Sequence, residues 1–364
     1  MSPIVSEQYE YVIGVDTHAA THTLAVLAAA TGSVVATDTF PTTNPGLDRA
    51  LAWIDRRTGD AADGRVLVVV EGTGSFGAIL TERAELAGYR VVEAARMPAG
   101  DRRGLGKSDA LDAARIARAV LGLREHELRT PRTLSAGTDA SSGARVALRV
   151  LVIARDQMTG ERTRAINTLT SLLRTVDLGI DARKSLSAAQ VSTIAGWRER
   201  EENLARRTCR AEAVRLARRV KTLTTDLVTN RVGITDLIAG TAPELLQLTG
   251  VGAVVAASVI ISWSHPGRIR SEAAMASLAG TCPIPASSGN TVRYRLNRGG
   301  DRRLNRSLTT ILIVRMRIDP ATRAYVARRR AEGRTTKEIM RSLKRYITRQ
   351  LYRTLAAAHP VPTT

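Results

Sequence analysis

Four acidic side chains stand where a fold can gather them. Asp16 closes the apolar run "YVIGV", Glu71 closes "VLVVV", and Asp109 and Asp112 open "DALDAARIARA". The i,i+3 spacing of the last two puts both carboxylates on one face of a helical turn. If the strands ending in Asp16 and Glu71 are neighbours, those two carboxylates lie close together at one sheet end. A helix packed across that end brings Asp109 and Asp112 to the same point. Four carboxylates so placed repel one another and raise one another's pKa unless a cation neutralises them. Oxygen-only donors select hard cations, Mg²⁺ or Mn²⁺. A pair of such ions can clamp the attacking and leaving oxygens of a phosphodiester. Taken singly, each residue has an ordinary role, Asp16 as a turn cap and Asp109 and Asp112 as acids favouring a helix N-terminus. The ordered set of four is the specific signal.

A second group with chemistry lies far along the chain, in "AGTCPIPASSGNTVRYRLNRGGDRR". Ser287 and Ser288 precede Gly289 and a run of arginines. Read alone, this is a polar turn before a basic helix. A serine hydroxyl is a weak nucleophile that needs help to lose its proton. The histidines, at 18, 22, 126, 265 and 359, include none beside Ser288. No Ser-His-Asp arrangement is evident, with His18 and His22 left open.

The elements that must position these groups follow from periodicity. Tyr11–Val15, Thr23–Ala29 and Ser33–Phe40 read as an antiparallel meander with "ATGS" as a turn. Asn44–Arg57 reads as a helix, Val66–Val70 as a buried central strand, Phe76–Ala87 as a helix, Tyr89–Val92 as a strand and Ser108–Leu121 as a helix capped by Ser108. The order β-β-β-α-β-α-β-α makes an α/β domain over residues 1–129. Residues 130–145 read as a polar linker. Residues 146–240 are helical, broken near Asp177–Lys184, with a second long segment from Ser187 to Val232. The expectation is a coiled-coil-like pair of dimerising arms, with a helical hairpin inside one subunit as the alternative. Residues 241–364 form a mainly helical domain. In it Gly250-Val251-Gly252 separates two helical stretches, a helix-hairpin-helix-like turn whose backbone N–H groups suit a phosphate.

Composition sets the partners. The 364-residue chain carries a formal charge of +20, unevenly spread. Residues 1–100 hold 7 basic and 12 acidic side chains, whereas residues 293–353 hold 19 basic and 4 acidic. Such a field recruits polyanions, and the expected grip on nucleic acid falls to Gly250, Gly252, Arg293, Arg295, Arg298, Arg302 and Arg303. Aromatic residues make up only 3%, so base stacking is not the obvious mode. Two distant cysteines give neither a metal-ligand spacing nor a disulfide framework. The N-terminus lacks signal-peptide character, and the longest apolar run, Val254–Trp263, is too short to span a membrane. The expected location is cytoplasmic, associated with the nucleoid.

The motifs "YVIGVDTH", "VVVEGTGSFG" and "KSDALDAARIARA" resemble the DEDD signature of the insertion-sequence-110 transposase family. "LTGVGAVVAASVI" and "LAGTCPIPASSGNTVRYRLNRGGDRRLNRSL" resemble that family's C-terminal domain. The resemblance implies an RNase H-like, RuvC-like N-terminal domain whose Asp16, Glu71, Asp109 and Asp112 hold Mg²⁺, with Mn²⁺ as an alternative. It implies a nucleophilic serine within a pattern of glycine, proline and Ser-Gly. Gly280, Pro283 and Ser288-Gly289 match, and Ser287 takes the variable place before the serine. It further implies a composite site, a phosphoserine link to DNA, a non-coding guide (bridge) RNA, donor and target DNA as partners, and a homodimer or homotetramer. Arg293, Arg295 and Arg298 would balance charge on the phosphoryl oxygens. Two other readings stand beside it: a metal-dependent junction-resolving nuclease that uses water, and a non-enzymatic, basic nucleic-acid-binding regulator.

Overall fold

The computed structural model describes residues 3–59, 64–95, 108–131, 140–287, 294–297 and 299–360. The chain forms two compact units, residues 1–142 and 143–364.

The first unit is a five-stranded mixed sheet in the order β3-β2-β1-β4-β5. Its strands are β1 (Tyr11–Thr17), β2 (Thr21–Ala28), β3 (Val34–Pro41), β4 (Val66–Val70) and β5 (Arg90–Glu93). The first three form the expected antiparallel meander, and β4 and β5 run parallel to β1. The helices are α1 (Val5–Gln8), α2 (Asn44–Thr58), α3 (Ala78–Leu86) and α4 (Asp109–Arg118). All five residues of β4 are buried, as a central strand with both faces covered requires.

Strand periodicity divides the core into two layers. Ile13, Val15, Val66, Val68 and Val70 pack with Leu47, Trp53 and Ile54 of α2 and Leu80 of α3. Val12, Leu67 and Val69 pack on the opposite face with Ala113, Ile116 and Ala117 of α4. Fully burying each Val or Ile contributes roughly 1.5–3 kcal/mol. The same parity assigns Asp16, two residues past Gly14, and Glu71, two past Val69, to the α4 face. Helix α3 starts two residues later than the spacing predicts, because a turn at positive-φ Gly72 occupies the preceding stretch.

The second unit is helical apart from one small hairpin. Its elements are α5 (Ala140–Thr175), α6 (Ala188–Ala195), α7 (Leu204–Thr241), α8 (Pro243–Leu246), α9 (Ala253–Trp263), α10 (Glu272–Leu278), β6 (Pro283–Pro285), β7 (Tyr294–Leu296), α11 (Arg302–Ile318), α12 (Pro320–Ala331) and α13 (Thr336–Ala358). Three expectations change here. Residues 140–145 of the expected linker belong to α5. The segment Ser187–Val232 is two helices, because Gly196 terminates α6 and the Asn203 side chain caps α7 by accepting from the Arg206 N–H. Two short strands that the spacing does not predict, Pro283–Pro285 and Tyr294–Leu296, pair antiparallel.

Helices α5 and α7 bond to each other within one chain, the alternative weighed for the arms. Arg155 Nη1 donates to the Leu227 carbonyl, Asn230 Nδ2 donates to the Leu151 carbonyl, and Arg219 pairs with Glu161. Two apolar clusters lie along this pair. One joins Leu169, Leu173, Ile194, Leu216 and Val220. The other joins Leu148, Val152, Ile234 and Ile238 with α9, α11 and α13.

Candidate active site

Three chain segments meet at the C-terminal end of β1. Parallel pairing aligns Val15 with Val70, so Asp16 and Glu71 are the next residues of neighbouring strands. The Glu71 N–H donates to the Val15 carbonyl at 3.1 Å. The Thr17 hydroxyl donates to the Glu71 carbonyl at 3.0 Å. Glu71 is thereby fixed on both sides of Asp16.

Helix α4 supplies the third segment. The Ser108 hydroxyl accepts from the Leu111 N–H and starts the helix at Asp109. The helix then crosses β1 with almost no gap. A Cβ on Gly14 would stand 1.9 Å from the Ala113 carbonyl oxygen and 2.8 Å from the Ala117 nitrogen. Glycine on the strand and a small-residue face on the helix set the closeness of this crossing, and the crossing sets where the first turn falls.

Asp16 is 8% exposed, whereas Asp109 and Glu71 are exposed and Asp112 is half-buried. Burial pushes the Asp16 carboxyl above the ordinary aspartate range; the charges of Glu71, Asp109 and Asp112 push the same way, and His18 opposes them. The other three sequence-predicted acids therefore bear electrostatically on Asp16. The tightest group differs from the expected four. It consists of Asp16, His18 and Asp109, whose ligand atoms lie within 4.8 Å of one another. His18 Nε2 is 3.5 Å from Asp16 Oδ2 and 3.9 Å from Asp109 Oδ1. Glu71 and Asp112 stand outside this trio, and Asp112 faces the half-buried Arg115 at 3.5 Å. His18 is the residue that reading for acids alone leaves out. Its signal was present in "VDTH", where a spacing of two from Asp16 continues the alternation of β1.

This donor set fits a divalent cation. A carboxylate disfavoured in its charged form by burial first, and then by three other acids, is relieved by positive charge, and two carboxylates plus an imidazole nitrogen make acceptable ligands.

Of the residues expected to act from the other unit, Ser288, Arg293 and Arg298 lie outside the described residues, as does Gly289. Ser287 is described and exposed. Arg295 is exposed on β7 and Arg302 is exposed at the start of α11. The Asp301 side chain fixes that start by accepting from the Arg303 and Leu304 N–H groups and from the Ser262 hydroxyl. Arg303 is engaged, donating to Asp156 at 2.8 Å. Gly250 has φ +83°, a conformation that disfavours a side chain, and a Cβ there would stand 3.0 Å from the Ile311 carbonyl. Gly252 caps α9 without a side-chain hydrogen bond.

Comparison with known proteins finds matches in both units of the chain. A family described as Transposase, the DEDD type of IS110 elements, matches residues 13–177. The Transposase IS116/IS110/IS902 family matches residues 242–327. A 42 kDa protein of insertion element IS900 from Mycobacterium paratuberculosis is 27% identical over 318 residues, covering 73% of this chain and 76% of its own. A 43.6 kDa protein of insertion element IS110 from Streptomyces coelicolor is 33% identical over 105 residues, 29% of this chain and 26% of its own. The chain thus belongs to the IS110 family of transposases, enzymes that cut and rejoin DNA.

Proposed function

We propose that the chain transposes its own insertion element by forming a transient phosphoserine link to DNA. The observation that carries this reading is the convergence of Glu71, from the end of β4, and of Asp109 and Asp112, from α4, on the buried Asp16. The strand order of the sheet, with β1 central and β4 parallel to it, supports an RNase H-like, RuvC-type assignment. Asp16, Asp109, Glu71 and Asp112 would hold Mg²⁺, with His18 beside them. When bound, the ion supplies positive charge for the phosphoryl oxygens and favours the alkoxide form of a nearby hydroxyl.

In the reaction, the Ser288 oxygen attacks the scissile phosphorus. An Oγ–P bond forms, the P–O bond to the leaving deoxyribose oxygen breaks, the serine proton is given up and the leaving oxygen takes one. The phosphoserine preserves a phosphodiester, so a second DNA hydroxyl can reverse the step and reseal a strand without a high-energy cofactor. Arg293, Arg295 and Arg298 offset charge on the phosphoryl oxygens. Gly250, Gly252 and Arg302 contact backbone phosphates, which sets register without reading bases. Base choice falls to a non-coding guide RNA from the element, and the working assembly is a homodimer or homotetramer, cytoplasmic and nucleoid-associated. The family resemblance supports these last assignments. Expression with the flanking element DNA, followed by sequencing of RNA bound to the purified protein, tests the guide. A single structured RNA from the element is expected, and random cellular RNA alone contradicts it. Asp112→Asn tests the carboxylate assignment: strand cleavage is expected to fall, and undiminished cleavage contradicts it.

A further inference from the structure

A cavity of about 1120 Å³ in the second unit lies between the β6–β7 hairpin, the start of α11 and the first half of α13. Its lining is rich in cationic side chains. Arg295, Arg302, Lys337, Arg341 and Lys344 all line it, while Glu338 is the acid among the lining residues. The Glu338 carboxylate accepts from the Thr335 N–H and hydroxyl and is held to its own helix start.

The floor is built rather than incidental. Lys344 is half-buried, and its ammonium donates to Asn305 Oδ1 at 3.0 Å. Asn305 is fixed in turn by donating to the Ala279 carbonyl at 2.7 Å. Asn297 ties the other wall by donating to the Ser277 carbonyl and to Cys282 Sγ. An ammonium has three N–H donors, and one is used here. Among the described residues no carboxylate pairs with Lys344, so burial alone acts on it and lowers its pKa. A partly desolvated cation without a counter-charge favours an anionic ligand.

One aromatic side chain stands on the wall. Tyr294, on β7, is 60% exposed at the cleft in a chain with seven tyrosines. Its ring has room to meet a flat partner. Cations along a groove with an exposed ring are the makings of a single-strand site, because the face of a base is available for stacking only when it leaves the duplex. In the sequence, Ser287 and Ser288 fall between the two strands of this hairpin.

We propose that this cleft holds one unpaired DNA strand, with Lys344, Arg341, Lys337, Arg302 and Arg295 taking backbone phosphates and Tyr294 stacking on a base. The choice of DNA rests on the reading that the serine of this hairpin attacks DNA. Sequence composition argues against stacking as a general mode, and here a single ring does it at one place. The site reads no sequence. It favours DNA that is already opened at the point of exchange.

The test uses the full-length protein in EDTA, so that binding is read without cleavage. Fluorescence anisotropy follows oligo(dT) and oligo(rU) of about 25 nucleotides and a duplex of the same length. Tyr294→Ala is expected to weaken oligo(dT) binding about tenfold, within the roughly 5- to 150-fold span of one base stack, and to leave duplex binding unchanged. Tyr294→Phe keeps the ring and is expected to bind as the wild type does. Arg341→Ala is expected to lower the slope of log affinity against log salt by about 0.7. Photocrosslinking of an oligonucleotide carrying 5-iododeoxyuridine is expected to mark Tyr294. Oligo(dT) binding within twofold of wild type for Tyr294→Ala, with crosslinks elsewhere, overturns the proposal. So does a dependence on Tyr294 confined to oligo(rU). Because binding is read in EDTA without cleavage, a failure of serine chemistry leaves this result standing, and a failure of the cleft leaves serine chemistry untouched.

Discussion

The Ala113 carbonyl oxygen occupies the place where a side chain on Gly14 would begin, 1.9 Å from the Cβ position. This contact holds α4 against β1 and so sets the height at which Asp109 and Asp112 stand over Asp16. Gly14→Ala is expected to destabilise the protein by about 1–3 kcal/mol through overpacking, and to reduce Mn²⁺ binding with it. Gly122→Ala, where a Cβ meets nothing within 4 Å, is the control and is expected to stay within about 0.5 kcal/mol of wild type. Urea unfolding measures both. Equal stability of the two variants contradicts the close-packed crossing.

Asp16 is opposed in its charged form by burial and by three neighbouring carboxylates. In metal-free protein, Asp16→Asn removes a charge that the site disfavours. Its melting temperature in EDTA is therefore expected to equal or exceed that of wild type. Wild-type protein is expected to melt higher with Mn²⁺, and Asp16→Asn is expected to lose that increase. A metal-free variant that melts several degrees lower would show that Asp16 holds the fold rather than an ion.

His18 lies close enough to Asp16 and Asp109 to share an ion with them. His18→Ala is expected to cost Mn²⁺ affinity roughly 10- to 100-fold, whether the ring ligates or orients a ligating carboxylate. Spin-echo spectroscopy of bound Mn²⁺ separates these roles, since a ligating ring gives a nitrogen coupling that His18→Gln abolishes. Unchanged affinity in His18→Ala removes the residue from the site.

Elsewhere, Arg210 and Glu202 lock the start of α7. Arg210 is 5% exposed, donates twice to the Glu202 carboxylate and lies over the Trp197 ring at 4.9 Å. The bond to Arg210 holds the Glu202 carboxyl below the ordinary glutamate range. A depressed folded-state pKa means that this stabilisation is complete above the unfolded value, near 4.5, and is lost as pH falls through the folded one. Glu202→Gln is therefore expected to lose stability at pH 7 and to show a shallower further loss between pH 4.5 and the folded-state pKa. Parallel acid-denaturation curves for the two proteins contradict the lock.

The first unit was legible because its signals are local. A continuous run such as Val66–Val70 can be little other than a buried strand, and a carboxylate at each strand end follows from the run's length. The crossing at Gly14 was not legible, since a lone glycine in a strand does not name the helix that approaches it. His18 escaped because an acid-only search passes over an imidazole at the same parity. In the second unit the break at 196–203 was hidden by a helical pattern that continues on either side of Gly196. The hairpin was hidden because β6 and β7 are three residues each, too short for an alternation to register. The cleft depends on residues 279–283 and 294–305 that line it meeting others between 329 and 345, such as Tyr294 and Arg302 with Arg341 and Lys344, a tertiary relation that no local pattern encodes.

The central claim is a serine that joins protein to DNA while carboxylates of the other unit hold the ion. A suicide DNA substrate, nicked so that the released strand diffuses away, traps such a link in the presence of Mg²⁺. The expected result is a protein–DNA adduct that survives denaturation, that Ser288→Ala and Asp16→Ala each abolish, and that Ser287→Ala leaves in place. Cleavage that persists in Ser288→Ala without any adduct would contradict the account and make water the nucleophile, and binding with no cleavage by the wild type would leave a nucleic-acid-binding protein without this chemistry.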